Sequence, residues 1–320
     1  MQFHNSEELR TVRWGANAVL EGLASARSRH PGVPVWFVGD LPMPEGCEGV
    51  HHASSLDEAL AGEAPRVYLC VFQSDDALLR VLRRIVERPN SWYEAPNAQA
   101  PVARYYHRND AAHRVLLSEA AVEKRMFELG DLEGLLQALE STRSVEGSYV
   151  EVGVYQGRSA RCAIRYMREA GIDRRSFLLD LYDGFSYEEA AESPDAFWKG
   201  THTDTSIEGV RSFVGDCSGG LERVDVLRNN IISDPLPEGL GPIAVANIDV
   251  DMCEAVEAAL FRLAPLISVG GMMIVEDAGH TPRLAGALLA LDRFVRSEPG
   301  RGFRSVYMAS GQTYLIRLGN

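Results

Sequence analysis

Two apolar runs that each end in acids, with a helical stretch between them, constrain this chain most. Ile243 to Ile248 leads into Asp249-Val250-Asp251, and Met272 to Val275 leads into Glu276-Asp277, so that Glu276 follows Asp249 by 27 positions. An alanine-rich stretch from Glu254 to Leu263 has the pattern of a crossover helix. Parallel strands joined in this way bring their C-terminal ends to one edge, where open α/β sheets bind ligands. Four carboxylates meeting there repel one another unless a cation lies between them, and hard divalent ions prefer oxygen ligands. Strands also end in Asp or Glu simply because loops begin there. These residues alone leave a metal site and ordinary strand ends both open.

Composition narrows the classes. The 320 residues, 46% apolar and 24% charged, are those of a folded chain with room for one large or two medium domains. A formal net charge of −13 argues against nucleic acid or an anionic membrane surface as partner. Met1 to Glu8 has no basic segment followed by an apolar core, so no secretory signal is expected. No uninterrupted apolar run reaches the roughly 18 residues of a membrane span. Five scattered cysteines (Cys47, Cys70, Cys162, Cys217, Cys253) with no Cys-x-x-Cys pair suggest reduced thiols and a cytoplasmic protein without structural zinc.

The pattern along the chain predicts three parts. Residues 1–90 read as a small α/β module. It comprises a strand and turn over Thr11–Asn17, a short helix through Leu23, strands over Pro34–Val38 and Arg66–Phe72, and a helix over Asp75–Glu87. Gly15-Ala16-Asn17 lacks the later glycines of a dinucleotide loop, which favours a degenerate scaffold or an oligomerisation module. Residues 91–147 read as a linker or lid, rich in Pro and aromatics up to about 110, followed by a helical segment to Thr142. From 148 to 320, strands and helices alternate: Tyr149–Val152, Ser159–Ala170, Arg175–Leu179, Asp204–Val214, Val224–Leu227 and then the two acid-ended strands. A helix over Pro282–Arg296 and a hairpin about Ser310-Gly311 close the series. This alternation predicts a doubly wound parallel sheet with both faces covered.

A second motif lies on that sheet edge. Glu151-Val152-Gly153-Val154-Tyr155-Gln156-Gly157-Arg158-Ser159 is a strand ending in an acid, then Gly-x-x-x-Gly opening a helix. Such a loop lets backbone approach a ligand, and the amides and Ser159 at the helix start suit an anionic group. Asp180, at the end of the next strand, is placed to accept ribose hydroxyls. With one glycine pair, Glu151 and Asp180 suit a nucleoside without a pyrophosphate better than a dinucleotide.

The stretch from Tyr149 to Phe294 resembles the S-adenosylmethionine-dependent sugar O-methyltransferases of antibiotic biosynthesis. These are the macrocin/mycinamicin O-methyltransferase family and the related rhamnosyl O-methyltransferase/cephalosporin-hydroxylase-like group. The resemblance runs in order through Glu151–Gly157, Asp180-Leu181-Tyr182-Asp183-Gly184-Phe185, Asp234-Pro235-Leu236-Pro237, Asp249-Val250-Asp251-Met252-Cys253-Glu254, and Pro265 through Gly270-Gly271 to Glu276-Asp277. It implies a Rossmann-like methyltransferase fold. It also implies cofactor contacts from Glu151, Gly153, Tyr155, Gly157, Ser159, Asp180 and Tyr182. A magnesium ion would be held by Asp249, Glu276 and Asp277, with Asp251 in the outer shell. Cys253 stands where the macrolide enzymes have an aromatic, and Glu276 replaces the first Asp of their pair.

A sugar hydroxyl titrates above about 10 and an ordinary Asp near about 4, so a cation that stabilises the alkoxide narrows the gap. Asp249 or His280 is the expected proton acceptor. His202 reads as solvent-facing, and Glu188, Glu189 and Glu192 as a solvated helix face. Three readings follow. The first is a magnesium-dependent methyltransferase of a sugar or glycosylated small molecule, expected as a homo-oligomer. The second transfers methyl to a phenol or amine. The third is a non-catalytic methyltransferase-like binding protein, against which the joint presence of these acids argues.

Overall fold

A computed structural model describes residues 16–53, 55–72, 75–96, 105–107, 109–120, 129–218, 222–279 and 285–319. The chain divides into two compact units, Met1–Asp110 and Ala111–Asn320.

The first unit holds helices α1 (Ala16–Arg29), α2 (Leu56–Leu60) and α3 (Asp75–Val86). Its strands are β1 (Val35–Gly39), β2 (His51–His52), β3 (Arg66–Val71) and β4 (Ser91–Glu94). They form a parallel sheet in the order β2-β1-β3-β4. Strand alternation sends Val35, Phe37, Val67 and Leu69 into one core with Val19 and Leu23 of α1. It sends Val38, Tyr68 and Cys70 into another with Leu78 and Ile85 of α3. The strand and turn expected over Thr11–Asn17 lie mostly outside the described residues, and α1 continues past Leu23. β4 was not expected, because Pro89 and Pro96 bracket it and make the segment read as loop. It forms nonetheless, since Trp92 and Tyr93 carry high strand preference and β3 offers a partner.

The second unit opens with α4 (Asp110–Ala120), which starts at the last residue of the first, and α5 (Leu129–Ser141). Strands β5 (Ser148–Val152), β6 (Ser176–Asp180), β7 (Val224–Arg228), β8 (Ile243–Ile248), β9 (Ile267–Val275), β10 (Phe303–Tyr307) and β11 (Thr313–Arg317) follow. Helices α6 (Arg158–Ala170), α7 (Ile207–Ser218), α8 (Cys253–Leu263) and α9 (Ala285–Arg296) alternate with them. The sheet order is β10-β11-β9-β8-β5-β6-β7, with β10 and β11 antiparallel and the other five parallel. The expected doubly wound architecture and the C-terminal hairpin are both present. From β5 the chain steps outward to β7 and returns to β8 beside β5, so the topological switch falls between β5 and β8, where such sheets bind ligands. The buried faces of β5, β8 and β9 pack on α8 and α9 in one core.

β9 begins five residues before the expected start. The strand runs through Gly270 and Gly271, with Gly270 at φ +80° and the β8–β9 register shifting between Ile243 and Val245. Glycine inside a strand marks such a bulge.

Candidate functional site

The switch between β5 and β8 is a place of close backbone contact. The Asp249 amide donates to Val152 O at 2.8 Å, and the Gly153 amide to Leu179 O at 2.9 Å. Gly153 has φ +88°, and a Cβ there would lie 1.7 Å from Asp249 O. The glycine expected to let backbone approach a ligand therefore first lets two strand ends approach each other. Asp180 braces the loop beyond it. One of its oxygens accepts from the Val154 and Tyr155 amides at 2.7 and 2.8 Å, and the other from the Tyr182 amide at 2.5 Å.

Glu151 is fully buried. Its carboxylate accepts from the Tyr149 hydroxyl, from Ser159 Oγ at 2.6 Å and from the Ala160 amide. Burial dominates and raises its pKa from 4.5 to about 7, while the Ser159 and Tyr149 donors pull it back. Glu151 and Ser159 thus satisfy each other inside the protein, and Tyr182 is buried too. Gly153, Tyr155 and Asp180 line the cleft, whereas Glu151, Gly157, Ser159 and Tyr182 are not among its walls.

That buried acid has a measurable consequence. Because its folded pKa exceeds its unfolded one, Glu151 favours the fold fully below about pH 4.5, and the contribution is lost as pH rises through about 7. The two pKa values differ by an amount worth about 3 kcal/mol. Glu151→Gln should therefore gain about 2 to 3 kcal/mol on the parent between pH 5 and pH 8 in urea unfolding. A difference that does not change with pH would rule this out.

At the ends of β8 and β9, Asp249, Asp251 and Asp277 each offer a carboxylate oxygen, all within 4.8 Å of one another. Glu276 is buried but outside this group, its amide donating to Ile248 O at 3.0 Å. Ile248 pairs with Val275, so Asp249 and Glu276 leave their strands in register, and the Glu276 charge acts on Asp249 ahead of that of Asp251. Asp251, expected in the outer shell, stands with Asp249 and Asp277 in the close group. Burial raises Asp249 well above the usual carboxylate range, aided by Glu276 and then Asp251. Burial also raises Asp277, aided by Asp251, Asp249 and Glu276. Asp277 Oδ2 is buried with no hydrogen-bond partner. Like charges held this close, with a buried oxygen unsatisfied, suit a hard divalent cation. His280 lies outside the described residues.

An open cleft lies beside these acids, with Asp249 and Asp251 on its wall. His202 is half-buried on its wall rather than solvent-facing, with its ring against Tyr155 and Phe185 at 5.2 and 5.0 Å. Thr201 donates its hydroxyl to Trp198 O at 2.7 Å, so its oxygen accepts from His202 Nδ1 at 2.9 Å. Asp204 ties the same loop to the glycine turn, accepting from Tyr155 Oη at 2.5 Å and Gln156 Nε2 at 3.0 Å.

Asn229 is a wall residue the sequence reading missed. Its Nδ2 donates to Pro235 O at 3.0 Å, and its buried Oδ1 has no partner. The signal was available, since Asn229-Asn230 ends β7 on the same edge that drew attention to Glu151, Asp180 and Asp249. Glu188, Glu189 and Glu192 are exposed, as expected.

The family model for macrocin-O-methyltransferase (TylF) matches residues 90–297. Among solved structures, the O-methyltransferase NovP aligns with TM-score 0.54 and 21% identity, over 62% of this chain and 84% of its own. The calicheamicin methyltransferase CalS11 aligns with TM-score 0.47 and 16% identity, over 70% of this chain and 98% of its own. TomG from Streptomyces achromogenes, an O-methyltransferase involved in tomaymycin synthesis, aligns with TM-score 0.41 and 12% identity, over 66% of this chain and 91% of its own. No protein of curated function matches the sequence. The likeness to NovP is one of fold, that of the Rossmann-like methyltransferases. The family match spans well over half of the 320 residues, and the chain therefore belongs to the macrocin-O-methyltransferase family and is an O-methyltransferase.

Proposed function

We propose that this enzyme transfers the methyl group of S-adenosylmethionine to a hydroxyl of a sugar or glycosylated natural product, with Mg2+ at Asp249, Asp251 and Asp277. The observation that carries the reading is the convergence of those three carboxylates, one with an unsatisfied buried oxygen, beside a cleft whose walls include Asp249 and Asp251. Gly153, Tyr155 and Asp180 would receive the nucleoside, and Asn229 Oδ1 would accept from an amino or hydroxyl donor on it. The cation supplies Lewis-acid stabilisation of the developing alkoxide. Asp249 takes the hydroxyl proton as the oxygen attacks the methyl carbon, the carbon–sulfur bond breaks, and neutral sulfide leaves. His280 stays in this reading as the second proton acceptor, and Glu276 as a charge that reinforces the triad.

Several supports are independent of the cleft. No described helix is long and apolar enough to cross a membrane. All five cysteines are unpaired, which supports a reducing compartment and a cytoplasmic location. We retain residues 1–90 as a candidate oligomerisation module and a homo-oligomer as the expected state, which light scattering would check.

Calorimetry with S-adenosylhomocysteine and a chelator titration of methyl transfer to sugar-bearing acceptors test the main reading. Cofactor product should bind, and chelation should abolish transfer. Failure to bind at millimolar concentration would overturn it. Transfer indifferent to chelation would instead favour a phenol, which is acidic enough to react without a cation.

A further inference from the structure

We propose that Asp195 is a positioning residue, tying the segment from Tyr187 to Trp198 to the first turns of α8 and α9 and so holding Asp251 in place beside Asp249 and Asp277. The inference rests on the metal reading above and assigns a determinant of it that lies far away in sequence.

Asp195 is only 2% exposed. One of its oxygens accepts from the Cys253 amide at 3.3 Å and the other from the Gly286 amide at 3.1 Å. Each donor is a first-turn amide of a helix, a group with no partner inside its own helix. A buried carboxylate between two positive helix ends is well compensated. Gly286 keeps the space open, because a Cβ there would lie 1.7 Å from Asp195 Oδ2 and 2.7 Å from Cys253 Cβ. The helix α9 therefore begins with a residue fitted to this carboxylate.

Asp251 is itself held in an unusual backbone conformation. It is a non-glycine residue at φ +56°. Such a conformation costs about 1 kcal/mol or more and persists only where the surroundings over-determine it. Upstream the turn is fixed by the Asp249 amide on Val152 O at 2.8 Å. Inside it, the Met252 amide donates to Val250 O at 2.5 Å. Downstream, the tie given to the Cys253 amide is Asp195. The same segment packs again at Tyr187, which lies against the core cluster that includes Cys253, Ala255 and Val256. Segment 187–198 is thus tied to the start of α8 through Asp195 and packed on the same core through Tyr187, which also lines the cleft.

A carboxylate that merely fastened two helices would leave metal affinity and cofactor affinity linked. A positioning residue separates them. In Asp195→Ala, the affinity for Mg2+ measured by calorimetry should fall by about 10- to 100-fold, the range seen when outer-shell partners of metal ligands are lost. Affinity for S-adenosylhomocysteine should stay within about two-fold, because Gly153, Tyr155 and Asp180 are braced elsewhere. Asp195→Asn keeps one acceptor oxygen and should fall between. Amide exchange over 249–256 should accelerate in both variants while 150–158 stays protected. A folded variant that binds Mg2+ as the parent does would overturn the proposal, and so would parallel loss of both ligands. Should Asp195→Ala fail to fold, the Asn variant carries the same test. If the parent itself binds no Mg2+, the functional reading fails and the exchange arm decides alone. Unchanged exchange over 249–256 then rejects Asp195 as the tie.

Discussion

Asp277→Asn should lower kcat by about 10³-fold while raising the melting temperature of the metal-free protein. On the proposed function the loss follows from removing one of three carboxylates that would hold the alkoxide-stabilising cation, a contribution of several kcal/mol. The gain follows from the same geometry. Asp277 is buried among Asp251, Asp249 and Glu276, and its pKa lies well above the usual range. A folded pKa above the unfolded one means stability is fully present at low pH and lost as pH rises. A neutral amide removes that loss, so the stabilisation should be large near pH 8 and fade below about pH 4. Each kcal/mol corresponds to about 2 to 4 °C in a domain of this size. Steady-state kinetics and thermal melts with chelator read both effects, and cofactor affinity should hold. A metal-free variant that melts lower than its parent at pH 8 would contradict the account.

Gly153→Ala should be the most damaging single change in the glycine loop. Its Cβ would lie 1.7 Å from Asp249 O and 2.9 Å from Val250 Cγ1, at φ +88°. Relaxation would require the ends of β5 and β8 to part, at a cost above about 3 kcal/mol. Loss of soluble protein, or a melting point at least about 6 °C lower together with loss of cofactor and metal binding, is expected. Gly171→Ala is the control. It also has positive φ, +68°, but nothing lies within 4 Å of its Cβ. It should cost only the left-handed conformation, about 1 kcal/mol. Equal melting points for the two variants would refute the close-approach argument.

These two sites also mark how far the sequence could be read. The parallel sheet was legible because each strand is a short apolar run, and because residues 148–279 alternate strand and helix in the order that folds into a doubly wound layer. The acid pair on β8 and β9 was legible for the same reason. The close approach of Asp251 to Asp249 and Asp277 was not, because Asp251 enters through a left-handed turn that propensity does not announce. Ser159 and Glu151 were read as ligand groups because both sit at the glycine loop. Only the fold reveals that they face each other. Asp195 carried no signal at all, since its partners are backbone amides 58 and 91 positions away. β4 and the extended β9 were obscured by proline and glycine, which mark edges and bulges as often as breaks.

The position of β11 between β9 and β10 means that the chain's last strand covers the edge of β9. Gln312, at the foot of β11, donates to Asp131 O of α5 at 3.3 Å, across 181 positions of chain. A cavity-free fit backs that contact, since a Cβ on Gly134 would lie 2.4 Å from both Gln312 Oε1 and Tyr314 Oη. Until the two segments meet, β9 is an open edge carrying Met273 and Val275, the kind of edge that recruits other chains. Contacts this distant put folding roughly in the millisecond-to-second range. The strand that leads into Glu276 and Asp277 keeps one open edge until β11 pairs with it, so dilute, slow refolding should favour recovery of the intact unit.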